Sequence, residues 1–247
     1  MILVISYGKL KVSETPDIKK VSRVLPGVNC GACGYASCHE YAVSVVEGKA
    51  EINECIPGGD KTAEKIGKIL GLESEAGGQF KAVVKCGVRD RKYNARYKGP
   101  KSCVAADLVA GGLSCKYGCF GYGDCVEVCP FDAIYLNENN LPKVDFKKCT
   151  GCGLCVKACP RNIIELVEPE KNRIVYVGCS SKQSGKNTRT VCDSGCIGCK
   201  ICEKQGPEGM FKVEDNLAGV KIQNQKADTD KIKCPPGCIY EFSKDNG

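Results

Sequence analysis

Cys149-Thr150-Gly151-Cys152-Gly153-Leu154-Cys155-Val156-Lys157-Ala158-Cys159-Pro160 is the stretch from which the rest of this chain can be read. It has the form C-x2-C-x2-C-x3-C-P. Three thiolates at that spacing wrap one face of a [4Fe–4S] cubane, and the cysteine before proline, on the following helix, reaches a second cluster. Upstream stand Cys115, Cys119, Cys125 and Cys129-Pro130, with wider gaps of x3 and then x5. The crossed rule assigns one cluster to Cys115, Cys119, Cys125 and Cys159, and the next to Cys149, Cys152, Cys155 and Cys129. Zinc favours paired C-x-x-C knuckles, commonly with histidine, and suits these triplets poorly.

Downstream, Cys196, Cys199 and Cys202 repeat the triplet, but Gly206-Pro207 stands where Cys-Pro is expected. Of a second motif only Cys234-Pro235 survives. The missing cysteine and the missing triplet would all have served the same cluster. One cluster is therefore lost cleanly, and the other remains on Cys196, Cys199, Cys202 and Cys234. Towards the N-terminus, Cys30, Cys33, Cys38 and Cys55 are spaced x2, x4 and x16. Gly31 and Gly34 let the backbone bend around a cluster there, with a structural zinc ion as the alternative. Cys86, Cys103, Cys179, Cys192 and Cys238 remain. They are either ordinary thiols, or the first four converge on a fifth cluster. The connector between Gln79 and Ser102 has only scattered large apolar residues, and a metal site can supply folding free energy that a core does not. Against this, a long-range tetrad costs loop entropy to close.

Twenty-one cysteines in 247 residues, an odd number, do not fit a disulfide framework. No signal peptide opens the sequence, and clustered cysteines in a cytosolic chain read as metal ligands. The formal charge of +7 is largely offset once each cluster contributes about −2, so the lysines read as a solvated surface and not as a nucleic-acid site. No stretch approaches the ~20 apolar residues of a membrane span. Neither G-x-G-x-x-G after a strand nor G-x-x-x-x-G-K-[ST] occurs, so no nucleotide site is visible. His39, the only histidine, lies beside Cys38 and reads at most as a neighbour that tunes that site. No catalytic residue is assigned.

The pattern predicts an α+β chain with a small N-terminal [4Fe–4S] domain followed by tandem ferredoxin-like iron–sulfur domains. Residues 1–15 form an N-terminal stub that could be the remnant of a membrane anchor. Residues 16–80 form the N-terminal cluster domain, 81–112 a connector, and 113–168 a two-cluster domain. Residues 169–192 carry a connecting strand, Arg173–Val177, and 193–247 a reduced one-cluster domain. Helices are expected over Asp17–Leu25, Ser37–Glu47 and Asp60–Leu70, the last capped by Asp60 and stopped by Gly71. Short strands are expected at Ala133–Leu136, Ile163–Leu166 and Met210–Val213, each after a ligand loop.

Val28-Asn29-Cys30-Gly31-Ala32-Cys33-Gly34-Tyr35, Pro57-Gly58-Gly59, Gly118-Cys119-Phe120-Gly121-Tyr122-Gly123 and Gly195-Cys196-Ile197-Gly198-Cys199 resemble the B subunit of the Rnf complex. The resemblance implies a component that takes low-potential electrons from ferredoxin within an ion-translocating ferredoxin:NAD+ oxidoreductase. It implies at least four [4Fe–4S] clusters and membrane and flavin subunits as partners. It also implies a place on the cytoplasmic face of the cell membrane, peripheral or anchored through a helix missing from this chain. Members usually begin with a transmembrane helix, of which only Met1–Ile5 could remain. The alternative is a soluble polyferredoxin-type carrier serving a hydrogenase, formate dehydrogenase or bifurcating flavoenzyme. A zinc-bearing nucleic-acid scaffold is the third reading.

Overall fold

The structure is a computed structural model that describes residues 15–73, 80–170, 173–223 and 229–243. The N-terminal stub therefore lies, but for Thr15, outside the described residues. The chain divides into two compact units, Met1–Gly77 and Gly78–Gly247.

Three helices make up the described part of the first unit. α1 (Pro16–Val24) places proline in its first turn, where no N–H is needed, and buries Ile18 and Val21. α2 (Cys38–Val46) is capped by the Ser37 hydroxyl, which accepts the Glu40 N–H at 3.0 Å. Glu40 in turn accepts the Ala36 N–H at 2.9 Å, a close variant of the reciprocal capping box. α3 (Gly59–Leu70) stops at Gly71, which takes the left-handed φ of 70°. Asp60, expected as the cap of this helix, lies within its first turn, and Gly58 is at the cap. An acidic side chain there still complements the helix dipole. Val21, Tyr41, Ala42 and Ile66 centre the core, and the Tyr41 hydroxyl donates to the Glu51 carbonyl at 2.7 Å.

In the second unit one order of elements occurs twice. β1 (Lys81–Val84) pairs antiparallel with β4 (Ile164–Val167), Lys81 facing Val167 and Val84 facing Ile164. Between them run α4 (Cys103–Leu108), α5 (Asp124–Glu127), the hairpin β2 (Ile134–Leu136)–β3 (Pro142–Val144), and α6 (Leu154–Ala158). β5 (Arg173–Val177) then pairs antiparallel with β8 (Ile239–Ser243). Between these run α7 (Gly185–Val191), α8 (Ile201–Gln205), the hairpin β6 (Phe211–Glu214)–β7 (Leu217–Val220), and a 3-10 turn at Thr229–Lys231. In each half an outer pair ties the ends together around an inner hairpin.

These strands are too short to bury much on their own. Ala82, Val84, Ile134, Leu141, Ile163 and Ile164 share the first core with Cys119, Cys125, Cys149 and Cys155. Val175, Val177, Met210, Phe211 and Ile232 share the second with Cys179, Cys196, Cys202 and Cys238. The thiols thus stand in the middle of the packing, where a domain of this size lacks hydrocarbon.

Loop shape depends on left-handed residues at fixed steps. A methyl group on Gly151 (φ +77°) would lie 2.3 Å from the Phe80 carbonyl oxygen, whereas on Gly153 (φ +76°) it would meet only Leu166 Cδ1 at 3.6 Å. Left-handed backbone costs alanine about 1–2 kcal/mol, so Gly153→Ala is expected to lose about that much stability. Gly151→Ala is expected to lose clearly more, because β1 must also shift. Equal losses in thermal unfolding of the two variants would remove the steric part of this account.

Candidate metal centres

In the first unit the loop from Asn29 to Ser37 passes through positive φ at Asn29 (49°), Gly31 (67°) and Gly34 (89°). Asn29 Oδ1 accepts the Cys38 N–H at 2.8 Å and closes the loop onto the start of α2. Cys55 comes from the turn before α3. Its thiol is pushed up to about 11 by burial, with the neighbouring thiols of Cys33, Cys38 and Cys30 adding to the effect. A side chain at Gly58 would press on Cys55 Sγ at 3.0 Å and on Thr62 at 2.7 Å, which accounts for glycine there. His39 is exposed on α2.

The second unit carries three loops of one shape. Gly121, Gly151 and Gly198 have φ of 81°, 77° and 64°, and two residues later Gly123, Gly153 and Lys200 have φ of 93°, 76° and 60°. Each of the latter caps a short helix, α5, α6 or α8, whose second residue is Cys125, Cys155 or Cys202. In this register Cys119, Cys149 and Cys196 are counterparts, and Tyr122 stands where Cys152 and Cys199 stand. The loop before α5 is therefore not a widened triplet that begins at Cys115. It is a loop of ordinary length without its middle cysteine.

Cys103, the first residue of α4, stands beside this loop. Burial raises the pKa of its thiol, and the nearby backbone of Asp124, Tyr122 and Gly123 counters this. The Asp124 carboxylate accepts the N–H of Cys103 at 2.7 Å and of Val104 at 3.1 Å, and the Ser102 hydroxyl at 2.9 Å. Burial alone would raise the Asp124 pKa, but these bonds hold it below the usual carboxylate value. Cys103, Cys119, Cys125 and Cys159 line one cavity. The Cys125 thiol is pushed up to about 12 by burial and then by Cys119, Cys103, Cys159 and Cys155. Cys115, expected in this set, lies instead with Cys86 and Cys192. The physical reason is the loop register: the left-handed glycines bring Cys119, four residues later, to the first ligand position. Spacing counted between cysteines misses this, although aligning Gly121 and Gly123 on Gly151 and Gly153 reads it directly.

Cys129, Cys149, Cys152 and Cys155 line a second cavity, and the Ala82 N–H donates to Cys149 Sγ at 3.4 Å. In the second half the Cys202 thiol is pushed up to about 11 by burial, with Cys196 and Cys199 beside it. The Ala218 N–H donates to Cys196 Sγ at 3.4 Å. Cys234 Sγ lies 3.6 Å from Cys238 Sγ. The Cys238 thiol bonds both Cys196 and Cys234 and lowers each to about 6, while its own pKa rises. Cys238 sits four residues past Cys234, as Ala133 and Ile163 sit past Cys129 and Cys159. A Cβ on Gly206 would lie 2.7 Å from the Phe211 ring, so an aromatic side chain occupies the space next to the position where the cysteine is lost.

The donor sets fit iron–sulfur clusters: thiols alone, N–H groups directed at sulfur, and apolar walls. The alternative of a zinc ion favours paired C-x-x-C knuckles, commonly with histidine, and these sets hold no histidine.

A family model described as "Putative Fe-S cluster" matches residues 25–57, and one described as "4Fe-4S binding domain" matches residues 142–165. The B subunit of the ion-translocating oxidoreductase complex of Methanosarcina acetivorans is 40% identical over 89% of this chain and 84% of its own length. The B subunit of the proton-translocating ferredoxin:NAD(+) oxidoreductase complex of Clostridium ljungdahlii is 39% identical over 96% of this chain and 86% of its own. This chain belongs to the B-subunit family of ion-translocating oxidoreductase complexes. A third member, from the Na(+)-translocating complex of Acetobacterium woodii, is 39% identical over 96% of the chain and 72% of its own length. As a member of this Rnf-type family, the chain is an iron–sulfur electron-transfer component of an oxidoreductase. Among its described residues no helix is long and apolar enough to cross a membrane.

Cys103→Ser is expected to abolish the same reduced-cluster EPR signal as Cys125→Ser, and Cys115→Ser to leave that signal in place. Loss of the signal in Cys115→Ser with retention in Cys103→Ser would restore the sequence-based grouping. In the second half, Cys234→Ala is expected to lose a cluster that Cys238→Ala keeps.

Proposed function

We propose that this chain accepts low-potential electrons from ferredoxin and relays them within an Rnf-type ferredoxin:NAD+ oxidoreductase coupled to ion transport. It acts at the cytoplasmic face of the membrane, with membrane and flavin subunits as partners. Its second unit is read as two tandem ferredoxin-like folds, the latter reduced to one cluster. Four [4Fe–4S] clusters are assigned: to Cys30, Cys33, Cys38 and Cys55; to Cys103, Cys119, Cys125 and Cys159; to Cys149, Cys152, Cys155 and Cys129; and to Cys196, Cys199, Cys202 and Cys234.

The observation that carries this reading is the crossed arrangement of the Cys-Pro cysteines. Cys159 neighbours Cys125, and Cys129 neighbours Cys155, so each ligand loop is completed from the other. Such a cluster, when bound, takes up and releases one electron with no bond made or broken. The chain's part is to fix the positions of the sulfurs, to direct N–H groups at them and to exclude water. Arg161 holds the loop before Cys119: its guanidinium donates to the carbonyls of Gly118 (3.3 Å), Cys115 (3.2 Å) and Lys116, and pairs with Asp107 at 3.0 Å. Arg91 ties the same loop to the β2–β3 turn through the carbonyls of Cys119 (2.9 Å) and Asn140 (2.8 Å). With no acid–base pair or nucleotide motif in the sequence, chemistry at NAD+ falls to partner subunits.

Anaerobically purified protein is expected to hold at least about sixteen irons per chain and to be reduced by ferredoxin in stopped-flow mixing. About eight irons or fewer would defeat the cluster assignment. Reduction by dithionite but not by ferredoxin would defeat the donor.

A further inference from the structure

We propose that Cys86, Cys115, Cys179 and Cys192 hold a fifth [4Fe–4S] cluster, built from two matching cysteine pairs, one from each half of the second unit. The inference rests on the iron–sulfur reading above, but uses only cysteines that it leaves unassigned. All four line a single cavity, together with Gly118, Gly195 and Cys119.

The pairs correspond position by position. Cys86 stands two residues beyond the end of β1, and Cys179 two residues beyond the end of β5. Cys115-Lys116-Tyr117-Gly118 runs directly into Cys119, as Cys192-Asp193-Ser194-Gly195 runs into Cys196. The surroundings of the sulfurs correspond as well. Cys86 Sγ accepts the Cys119 N–H at 3.5 Å, and Cys179 Sγ, which accepts the Ser181 N–H at 3.4 Å, lies beside the backbone of Cys196, Cys119's counterpart. The backbone of Tyr117 lies beside the Cys115 thiol, and that of Ser194 beside the Cys192 thiol, each two residues ahead. The preceding glycines match in crowding: a Cβ on Gly118 would lie 3.3 Å from Cys115 Cβ, and one on Gly195 3.4 Å from Cys192 Cβ. Four thiols that line one cavity and raise one another's pKa across the two halves are the donor set that a single cluster needs.

The closure that a long-range tetrad demands is met by the backbone. The Gly87 N–H donates to the Gly178 carbonyl at 2.9 Å, the Ser180 hydroxyl to the Lys85 carbonyl at 3.0 Å, and Lys92 Nζ to the Thr190 carbonyl at 3.0 Å. Those bonds hold the segment after β1 against the segment after β5, and so bring Cys86 and Cys179 to one place. The four thiols lie between the loop of Cys119 and the loop of Cys196. They would therefore join the clusters of the two halves, which otherwise have no cluster between them.

Iron and zinc analysis of the full-length anaerobic protein, with EPR of the reduced state, tests this. The wild-type chain is expected to hold about twenty irons and no zinc, and Cys86→Ser about sixteen. Cys86→Ser combined with Cys115→Ser is expected to lose no more than Cys86→Ser alone, whereas Cys86→Ser combined with Cys125→Ser is expected to lose about eight. A wild-type content near sixteen irons, one zinc per chain, or additive losses for Cys86 and Cys115 would each overturn the proposal. The wild-type count stands even where a variant fails to fold. Failure to accept electrons from ferredoxin would change none of these counts.

Discussion

A set of thiols that line one inner space asks something unusual of a polypeptide. The sulfurs must face inward from a short loop, and the N–H groups of that loop must face the same way, because buried thiolates without hydrogen-bond donors are costly. A chain confined to negative φ cannot turn so tightly. Residues at positive φ, spaced two apart, solve the problem three times here: Gly121 and Gly123, Gly151 and Gly153, Gly198 and Lys200. The backbone of Phe80 lies close over Gly151, and that of Asn216 over Gly198, so the neighbouring segments are placed by the absence of a side chain beneath them.

The repeated order of elements has a consequence for the long inserts. One insert follows β1 and contains α4; the other follows β5 and contains α7. Both leave the fold at the same point and return at the same point, so whatever they carry is brought together by the duplication. The first insert also donates Cys103 to the loop that has Tyr122 in place of its middle cysteine, with Asp124 holding the start of α4 in place. A thiol from outside the loop stands beside the place where the middle cysteine is absent, without a change in loop length. In the second half the opposite solution is seen, where the Phe211 ring fills space beside Gly206.

Much is legible because cysteine is chemically unambiguous at short spacing. The triplets, the Cys-Pro motifs as motifs, and the helices around Val21, Tyr41 and Ile66 are read from local rules. Intervals between cysteines exchange the roles of Cys115 and Cys103, because they ignore the glycines that set the loop register. Asp60 suits a cap by its side chain, although the chain begins its helix a residue sooner.

The sequence by itself determined the kind of donor: thiols in C-x2-C-x2-C and Cys-Pro runs, a pattern that is read within a dozen residues of chain. Tertiary structure alone decided the company kept by cysteines with no close neighbour. Cys86, Cys103, Cys179 and Cys192 lie far along the chain from the sulfurs they approach, and Cys238, although close to Cys234, meets Cys196 only once β5 pairs with β8. Local spacing carries no record of that pairing, because it depends on two strands meeting across the whole length of each half.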